Sequence, residues 1–206
     1  MTKSTSTKWT KKFAYAVGLL TADGCLYSDG RHIEFTSKDK EQVLNFAKCL
    51  ALDNKITKKT RVKEKIKKYY RIQFGNKALY NFFCSIGLSP RKSLILKQLD
   101  IPMKFFPDFL RGLFDGDGNF NIFRHPESQY DQIRFRITSS SPQFLRWIHQ
   151  ITKNELSVKG FISRAGRSEC LEFAIEDSLK ILKYIYYSPT VVRLSRKFDK
   201  AKPYMK

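Results

Sequence analysis

The chain repeats itself. "AVGLLTADGCL" at 16–26 and "LRGLFDGDGNF" at 110–120 superpose, with Gly18 on Gly112, Leu19 on Leu113, Asp23 on Asp117 and Gly24 on Gly118. The two copies stand 94 positions apart in a chain of 206 residues, close to half its length. Solenoid periods are about 20–50 residues, so this spacing points to a duplicated module and away from a stack of small repeats. The parallel continues downstream, where "HIEFTSKDKEQVLNF" at 32–46 matches "RFRITSSSPQFLRWI" at 134–148 at an offset of 102. The second copy has gained eight residues by this point, which predicts a longer hairpin loop at His125 to Asp131.

Both copies follow one local grammar. An apolar helix comes first, over 10–22 and 106–116. Two alternating strands follow, 25–28 with 31–36 and 119–124 with 132–138. In "IRFRITS", Ile133, Phe135 and Ile137 fall on one face and Arg134, Arg136 and Thr138 on the other, the period of a half-buried strand. A second helix is predicted over 40–52, with Asp39 as N-cap, and over 142–152, with Ser141 as N-cap and Pro142 at the first helical position. Another strand pair spans 56–63 with 68–74 and 157–164 with 168–175, and a third helix closes each copy at 76–86 and 176–187. Ile33 and Phe35, Tyr70, Ile72 and Phe74, and Leu171, Phe173 and Ile175 form the expected core faces. The expected fold is α+β: two pseudo-symmetric αββαββα halves with antiparallel sheets. A polar, mobile tail is expected at 1–9, the first half at 10–99, a linker at 100–105 and the second half at 106–206.

Charge narrows the function classes. Thirty-nine Lys and Arg face nineteen Asp and Glu, a formal net charge of +20. Lysine and arginine neutralise phosphates and release counterions, so a polyanion is the natural partner. Cys25, Cys49, Cys84 and Cys170 form no CxxC pair and no zinc spacing, and they read as buried thiols of a reducing compartment. "FAYAVGLL" after Lys11 and Lys12 imitates a signal peptide, but it ends in Asp23-Gly24 without a small-residue cleavage site. It is also far short of the roughly 20 apolar residues of a membrane helix. An intracellular protein with no membrane partner is expected.

The motif glycines carry more than turn chemistry. Gly18 and Ala22 are four apart, as are Gly112 and Gly116, so each small pair lies on one helix face. A mid-helix glycine costs about 1 kcal/mol against alanine, and close approach of two backbones would offset it. If the motif helices pack together, their ends deliver Asp23 and Asp117 to one place. Two close carboxylates repel unless a cation lies between them, and hard oxygen ligands suit Mg²⁺. A calcium loop starting at Asp115 fails, because its sixth position is Phe120 where glycine is required and its twelfth is Pro126 where glutamate is required.

"VGLLTADG" and "RGLFDGDG" resemble the two signature motifs of LAGLIDADG homing endonucleases in their single-chain form. The resemblance covers both motifs, both halves and the linker. It implies saddle-shaped sheets with the motif helices at the centre. It further implies a monomeric, site-specific DNA endonuclease that makes a staggered double-strand break in a long target and promotes intron homing. The resemblance assigns catalytic-metal binding to the last acidic residue of each motif, Asp23 and Asp117, with Ala22 and Gly116 beside them. The expected cation is Mg²⁺, with Ca²⁺ or Mn²⁺ as replacements in the site. Asp115 has Thr21 as its counterpart in copy one and is expected to be a packing residue. A lysine near the end of each half is also implied at the active-site edge, and "GLSPRKS" and "LSRKFDK" offer Lys92 and Lys197, with Arg196 as an alternative to the second. Ser37 and Ser139 stand either where relatives order active-site water or as punctuation before the next helix.

A strand ribbon fits the major groove, so the polar strand faces are the expected reading surface. Arg134 and Arg136 in copy two, and His32, Glu34, Arg71 and Gln73 in copy one, are the base-contact candidates, with Arg164 and Arg167 bordering the last hairpin. Lys58, Lys59, Arg61, Lys63 and Lys65 are expected to touch phosphates, which supplies affinity without sequence information. Double-stranded DNA is the expected partner. An RNA-binding maturase acting on intron RNA, or a DNA-binding regulator that has lost cutting, would use the same fold and charge.

Overall fold

The computed structural model describes residues 7–60, 69–124, 126, 129 and 131–205. Arg61, Lys63 and Lys65, the last three residues of the strand expected at 56–63, and most of the long hairpin loop expected at His125 to Asp131 lie outside these residues. The element order is α1 (Lys11–Asp23), β1 (Gly24–Leu26), β2 (His32–Ser37), α2 (Lys40–Cys49), β3 (Thr57–Lys59), β4 (Tyr69–Gly75) and α3 (Lys77–Ser85) in the first copy. The second copy runs α4 (Phe106–Asp117), β5 (Gly118–Arg124), β6 (Asp131–Ser139), α5 (Pro142–Leu156), β7 (Phe161–Ala165), β8 (Ser168–Phe173) and α6 (Ile175–Ile185). A further short helix, α7 (Ser195–Ala201), was not foreseen from the sequence. The fold is α+β in two pseudo-repeated halves.

Each half carries one four-stranded antiparallel sheet, ordered β1-β2-β4-β3 and β5-β6-β8-β7. The equivalent order follows from the equivalent grammar: a hairpin, a helix to cover it, then a second hairpin whose long strand pairs with that of the first. Ile33, Phe35, Ile72 and Phe74 fill the first core, and Ile133, Phe135, Ile137, Leu171 and Phe173 the second. Burial of each such side chain contributes about 1.5–3 kcal/mol. Phe35 stacks on Phe46 of α2 with centroids 4.6 Å apart, and Phe135 meets Phe173 edge-on at 6.1 Å. Tyr70 leaves the expected alternation and is half-buried, while Tyr69 takes the buried position.

The chain divides into two compact units, Met1–Lys92 with Leu99–Gly116 and Ser93–Gln98 with Asp117–Lys206. The division differs from a cut at 100–105, because α4 packs with α1 and so joins the first unit. The reason is in the two glycines. A Cβ built on Gly18 would overlap the Phe109 carbonyl oxygen and stand 2.7 Å from Leu113 N. One built on Gly112 would overlap the Tyr15 carbonyl oxygen and stand 3.0 Å from Leu19 N. Backbone therefore lies on backbone, and the two helices exchange equivalent contacts.

Local punctuation partly departs from expectation. Asp39 and Ser141 occupy the N-cap positions of α2 and α5, but neither side chain caps its helix. Ser37 Oγ instead accepts from Asp39 N, and Ser139 Oγ from Ser141 N, each at 3.1 Å. These two serines thus turn the chain from strand into helix, the punctuation reading of the pair. Trp9, assigned to the mobile tail, sits among Phe13, Phe82 and Phe105 with centroids 5.5, 5.7 and 6.2 Å away. The cysteines are only partly buried: Cys170 is buried and Cys49 half-buried, but Cys25 and Cys84 are exposed. No helix among the described residues is long and apolar enough to cross a membrane.

Candidate nucleic-acid interface and metal-binding helix ends

Each motif helix runs without interruption to its aspartate and then becomes a strand at the next residue. α1 ends on Asp23 and β1 begins at Gly24; α4 ends on Asp117 and β5 begins at Gly118. Both aspartates are exposed. Gly24 is required at this switch, since a Cβ there would strike the Leu20 side chain and stand 2.8 Å from its Cα. A carboxylate at a helix C-terminus faces the negative end of the macrodipole, and neither helix carries a basic residue in its last turn.

The cationic partners come from far along the chain. Lys92 Nζ donates to the Gly24 carbonyl oxygen, and Lys197 Nζ donates to the Gly118 carbonyl oxygen at 2.6 Å. The two lysines are 9% and 7% exposed, whereas Arg196 is exposed. Each copy thus repeats one arrangement: an aspartate at a helix end, a glycine at the strand start, and a buried ammonium on that glycine's carbonyl. Inside the first unit, Gly116 lies against the Ala22 side chain, and an ideal Cβ on it would stand 3.6 Å from Asp23 Oδ2.

Hard oxygens are what these ends offer to a metal. Among the described residues no group of three or more His, Cys, Asp and Glu side chains forms a preassembled cage. Carboxylates few in number, with carbonyls beside them, fit a cation such as Mg²⁺ that keeps waters and takes phosphate oxygens. They do not fit a thiolate or imidazole site.

Behind the ends, the helix seam holds buried charge. Tyr15 donates its hydroxyl to Asp115 Oδ2 at 2.7 Å, and the Arg111 guanidinium lies over the Tyr15 ring at 5.3 Å. Arg111 also donates to Asp108 Oδ1 at 2.6 Å. Burial, then the Asp115 charge and hydrogen bond, push the Tyr15 phenol well above its ordinary range. Asp115 is 1% exposed, so it packs the seam. Thr21, its counterpart, returns its hydroxyl to Val17 O of its own helix at 2.8 Å.

The polar face of the first sheet is organised around Glu34. Lys59 Nζ lies 2.6 Å from Glu34 Oε1, and the Tyr27 hydroxyl donates to Oε2 at 2.9 Å. Thr36 Oγ1 donates to Oε1 at 3.2 Å, and Arg71 NH1 approaches Oε2 at 3.6 Å. Burial raises the Glu34 pKa, but the hydrogen bonds from Lys59 and Tyr27 outweigh it and the net shift is downward. Gln73 faces Glu34 across the ladder. His32 sits at the hairpin end with Nδ1 2.5 Å from Asp29 Oδ2. Asp29 accepts the His32 backbone N–H foremost, then its ring and the Arg31 backbone, which lowers its pKa to about 2. Lys58 is exposed, with its ammonium 6.0 Å from the Tyr70 ring centroid.

The second sheet has a corresponding centre on Glu172, which is not among the residues expected from the sequence. Arg134 Nε lies 3.1 Å from Glu172 Oε1, and Arg136 Nε donates to Oε2. The signal was visible as one acid inside the apolar run "CLEF". Arg164 and Arg167 are exposed at the β7-β8 hairpin, and Arg164 Nε donates to Gly166 O at 3.3 Å.

Residues 108–169 match the family model described as LAGLIDADG-like domain. No curated protein matches the chain. Among solved structures, full-length DUF199/WhiA from Thermatoga maritima is similar at 18% identity and a TM-score of 0.58 over 95% of this chain, which spans 62% of the length of that protein. The homing endonuclease I-DmoI, solved in complex with DNA and Mn, matches at 19% identity and TM-score 0.57 over 86% of this chain and 97% of that one. I-DmoI is also solved with DNA and Ca. The homing endonuclease I-WcaI, bound to its DNA recognition sequence, matches at 11% identity and TM-score 0.64 over 93% of this chain and 88% of that one. The shared fold is the LAGLIDADG fold.

Proposed function

We propose that this chain, which carries a LAGLIDADG-like domain and the fold of LAGLIDADG endonucleases, is a site-specific DNA endonuclease. It makes a staggered double-strand break in a long duplex by divalent-cation-dependent phosphodiester hydrolysis, in the service of intron homing. The observation that carries the reading is the doubled helix end: Asp23 with Gly24 and Lys92, and Asp117 with Gly118 and Lys197. A duplex has two strands to cut, and the chain has two such ends.

Asp23 and Asp117 are the cation ligands in this proposal, with Ala22 and Gly116 setting the close approach of the helix ends. Mg²⁺, or Mn²⁺ or Ca²⁺ in its place, supplies Lewis-acid stabilisation of phosphate charge and a more acidic water. Lys92 and Lys197 hold the glycine carbonyls and place positive charge where the phosphate gains negative charge. Arg71, Gln73, His32, Arg134 and Arg136 face the groove, while Lys58, Arg164 and Arg167 grip the backbone; Lys59, expected on phosphate, rests on Glu34, and Arg61 and Lys63 are assigned to phosphates from the sequence alone. The net charge of +20 supports this assignment. The protein acts as a monomer, because one chain carries both ends.

The test is selection of cleaved duplexes from a randomised library in Mg²⁺. The expected result is one long preferred site with a staggered break. Asp23→Asn or Asp117→Asn should abolish double-strand cleavage while binding persists. Equal cutting by these variants would reject the site. Tight binding without cutting by the parent protein would point to a regulator, and preference for structured intron RNA over duplex DNA to a maturase.

A further inference from the structure

Glu34 and Glu172 stand out on surfaces that should repel nothing anionic. Each is 6% exposed, and each lies on the polar face of its sheet. A buried carboxylate costs several kcal/mol unless paired, and here it also opposes the partner that a +20 chain attracts. Both are paired with the cations that would otherwise grip phosphate: Lys59 and Arg71 on Glu34, Arg134 and Arg136 on Glu172.

The positions correspond in a way that the sequence repeat does not encode. Glu34 pairs across the ladder with Gln73 and with Cys25, the second residue after Asp23. Arg136 pairs with Glu172 and with Asn119, the second residue after Asp117. The same rung of each sheet therefore holds one acid, supplied by β2 in the first half and by β8 in the second. The acid has changed strand, and the clamp has stayed on the rung beside the motif aspartate.

We infer that Glu34 and Glu172 are specificity-determining positioning residues: each carboxylate fixes the cationic side chains of its sheet in a base-reading geometry and withholds them from the phosphates of unrelated DNA. The inference rests on the DNA-reading function proposed above. Arg134 and Arg136 meet Glu172 through Nε, which keeps their Nη edges able to meet guanine O6 and N7; Arg71 is fixed from two sides, with Nη1 toward Glu34 and Nε donating to Thr57 Oγ1 at 3.3 Å. An arginine without that anchor is long and mobile, and it follows the nearest phosphate. On so basic a chain, affinity for any duplex comes readily, and discrimination is what the acid adds.

The experiment compares binding, in Ca²⁺ and at several salt concentrations, to a duplex selected by the parent protein and to an unrelated duplex of equal length. Glu172→Gln and Glu34→Gln keep side-chain shape and remove the charge. Binding to the unrelated duplex should tighten about threefold to tenfold, with a steeper salt slope as released cations reach phosphates. Preference for the selected duplex should fall by about tenfold or more, and Glu172→Asp should recover part of it. Should Glu172→Gln unfold, Arg136→Lys retains charge and loses the planar fork, and should lower preference for the selected duplex by a larger factor than it changes affinity for the unrelated one. Folded variants in which both affinities move by the same factor would show a purely structural role and overturn the inference. A parent protein without preference for any duplex would overturn the proposed function and this inference with it, whereas preference retained in the variants would overturn this inference alone.

Discussion

Gly18 and Gly112 each lie where the opposite helix's backbone leaves no room for a side chain: a Cβ on the first would overlap the Phe109 carbonyl oxygen, and one on the second the Tyr15 carbonyl oxygen. The contact is reciprocal, because Tyr15 and Phe109 are themselves equivalent in the repeat. Gly18→Ala or Gly112→Ala should therefore cost about 3 kcal/mol or more, since backbone must separate along the whole seam. Gly30→Ala is the contrast, with nothing within 4 Å of the added atom and a φ of +74°. Its cost should be about 1 kcal/mol, from conformation alone. Urea denaturation of the three variants measures the order.

The tyrosine on that seam makes a second prediction. Tyr15→Phe removes the hydroxyl that donates to Asp115 Oδ2 at 2.7 Å and leaves the carboxylate buried. A loss of about 1–3 kcal/mol is expected, the range for removing one partner of a buried hydrogen bond. Adding Asp115→Asn to Tyr15→Phe should recover part of it, because the neutral amide is cheaper to bury. Additive losses in the double-mutant cycle would reject the coupling.

Lys92→Met and Lys197→Met should separate stability from cutting. Each removes an ammonium that rests on the carbonyl after a motif aspartate. Cleavage of the strand that depends on the altered end should slow by about 10²-fold or more, the scale of one lost charge stabiliser. Binding in Ca²⁺ should change little. Strand-resolved gels of nicked and linear product read the two ends apart.

Cys49 gives stability a signature in alkali. Burial foremost raises its thiol from 9.0 to about 11. A pKa raised on folding means that the folded state disfavours the thiolate. Its contribution is complete below pH 9 and is lost as pH rises through about 11. The size is on the order of 2 kcal/mol. Cys49→Ala should flatten this part of the pH–stability curve, and denaturation midpoints between these limits measure it.

Phosphate grip and base reading should separate by salt and sequence. Lys58 is exposed on β3, and Lys58→Ala should weaken binding to all duplexes alike and reduce the salt slope by about 1. Arg134 is clamped on Glu172, and Arg134→Ala should relax preference at one position of the target by about 1–3 kcal/mol. Titration of single-base variants of the selected duplex tests both.

Much of this was legible before any coordinates. The elements came from periods of 2 and 3.6, which are properties of neighbours in sequence, so Ile133, Phe135 and Ile137 identified their buried face unaided. The helix seam was legible for a different reason: glycine in mid-helix is unfavourable, and its occurrence at Gly18 and Gly112 demanded a compensating close approach. Cys25 was misjudged as buried because composition assigns a burial tendency, while β1 places Cys25 on the exposed side between buried Gly24 and Leu26. Trp9 was misjudged because a polar flank hid its aromatic neighbours at positions 13, 82 and 105.

The duplicated module, its helices and strands, and the two aspartates at the helix ends are written in local spacing and in the match of one half to the other. Three-dimensional packing alone brings α4 onto the first half, sets Lys92 and Lys197 on the Gly24 and Gly118 carbonyls, and gathers the cations of each sheet around one buried glutamate. Those relationships join residues between 25 and 100 positions apart. They are set by backbone approach and by the need of buried charge for a partner, and neither leaves a period in the chain.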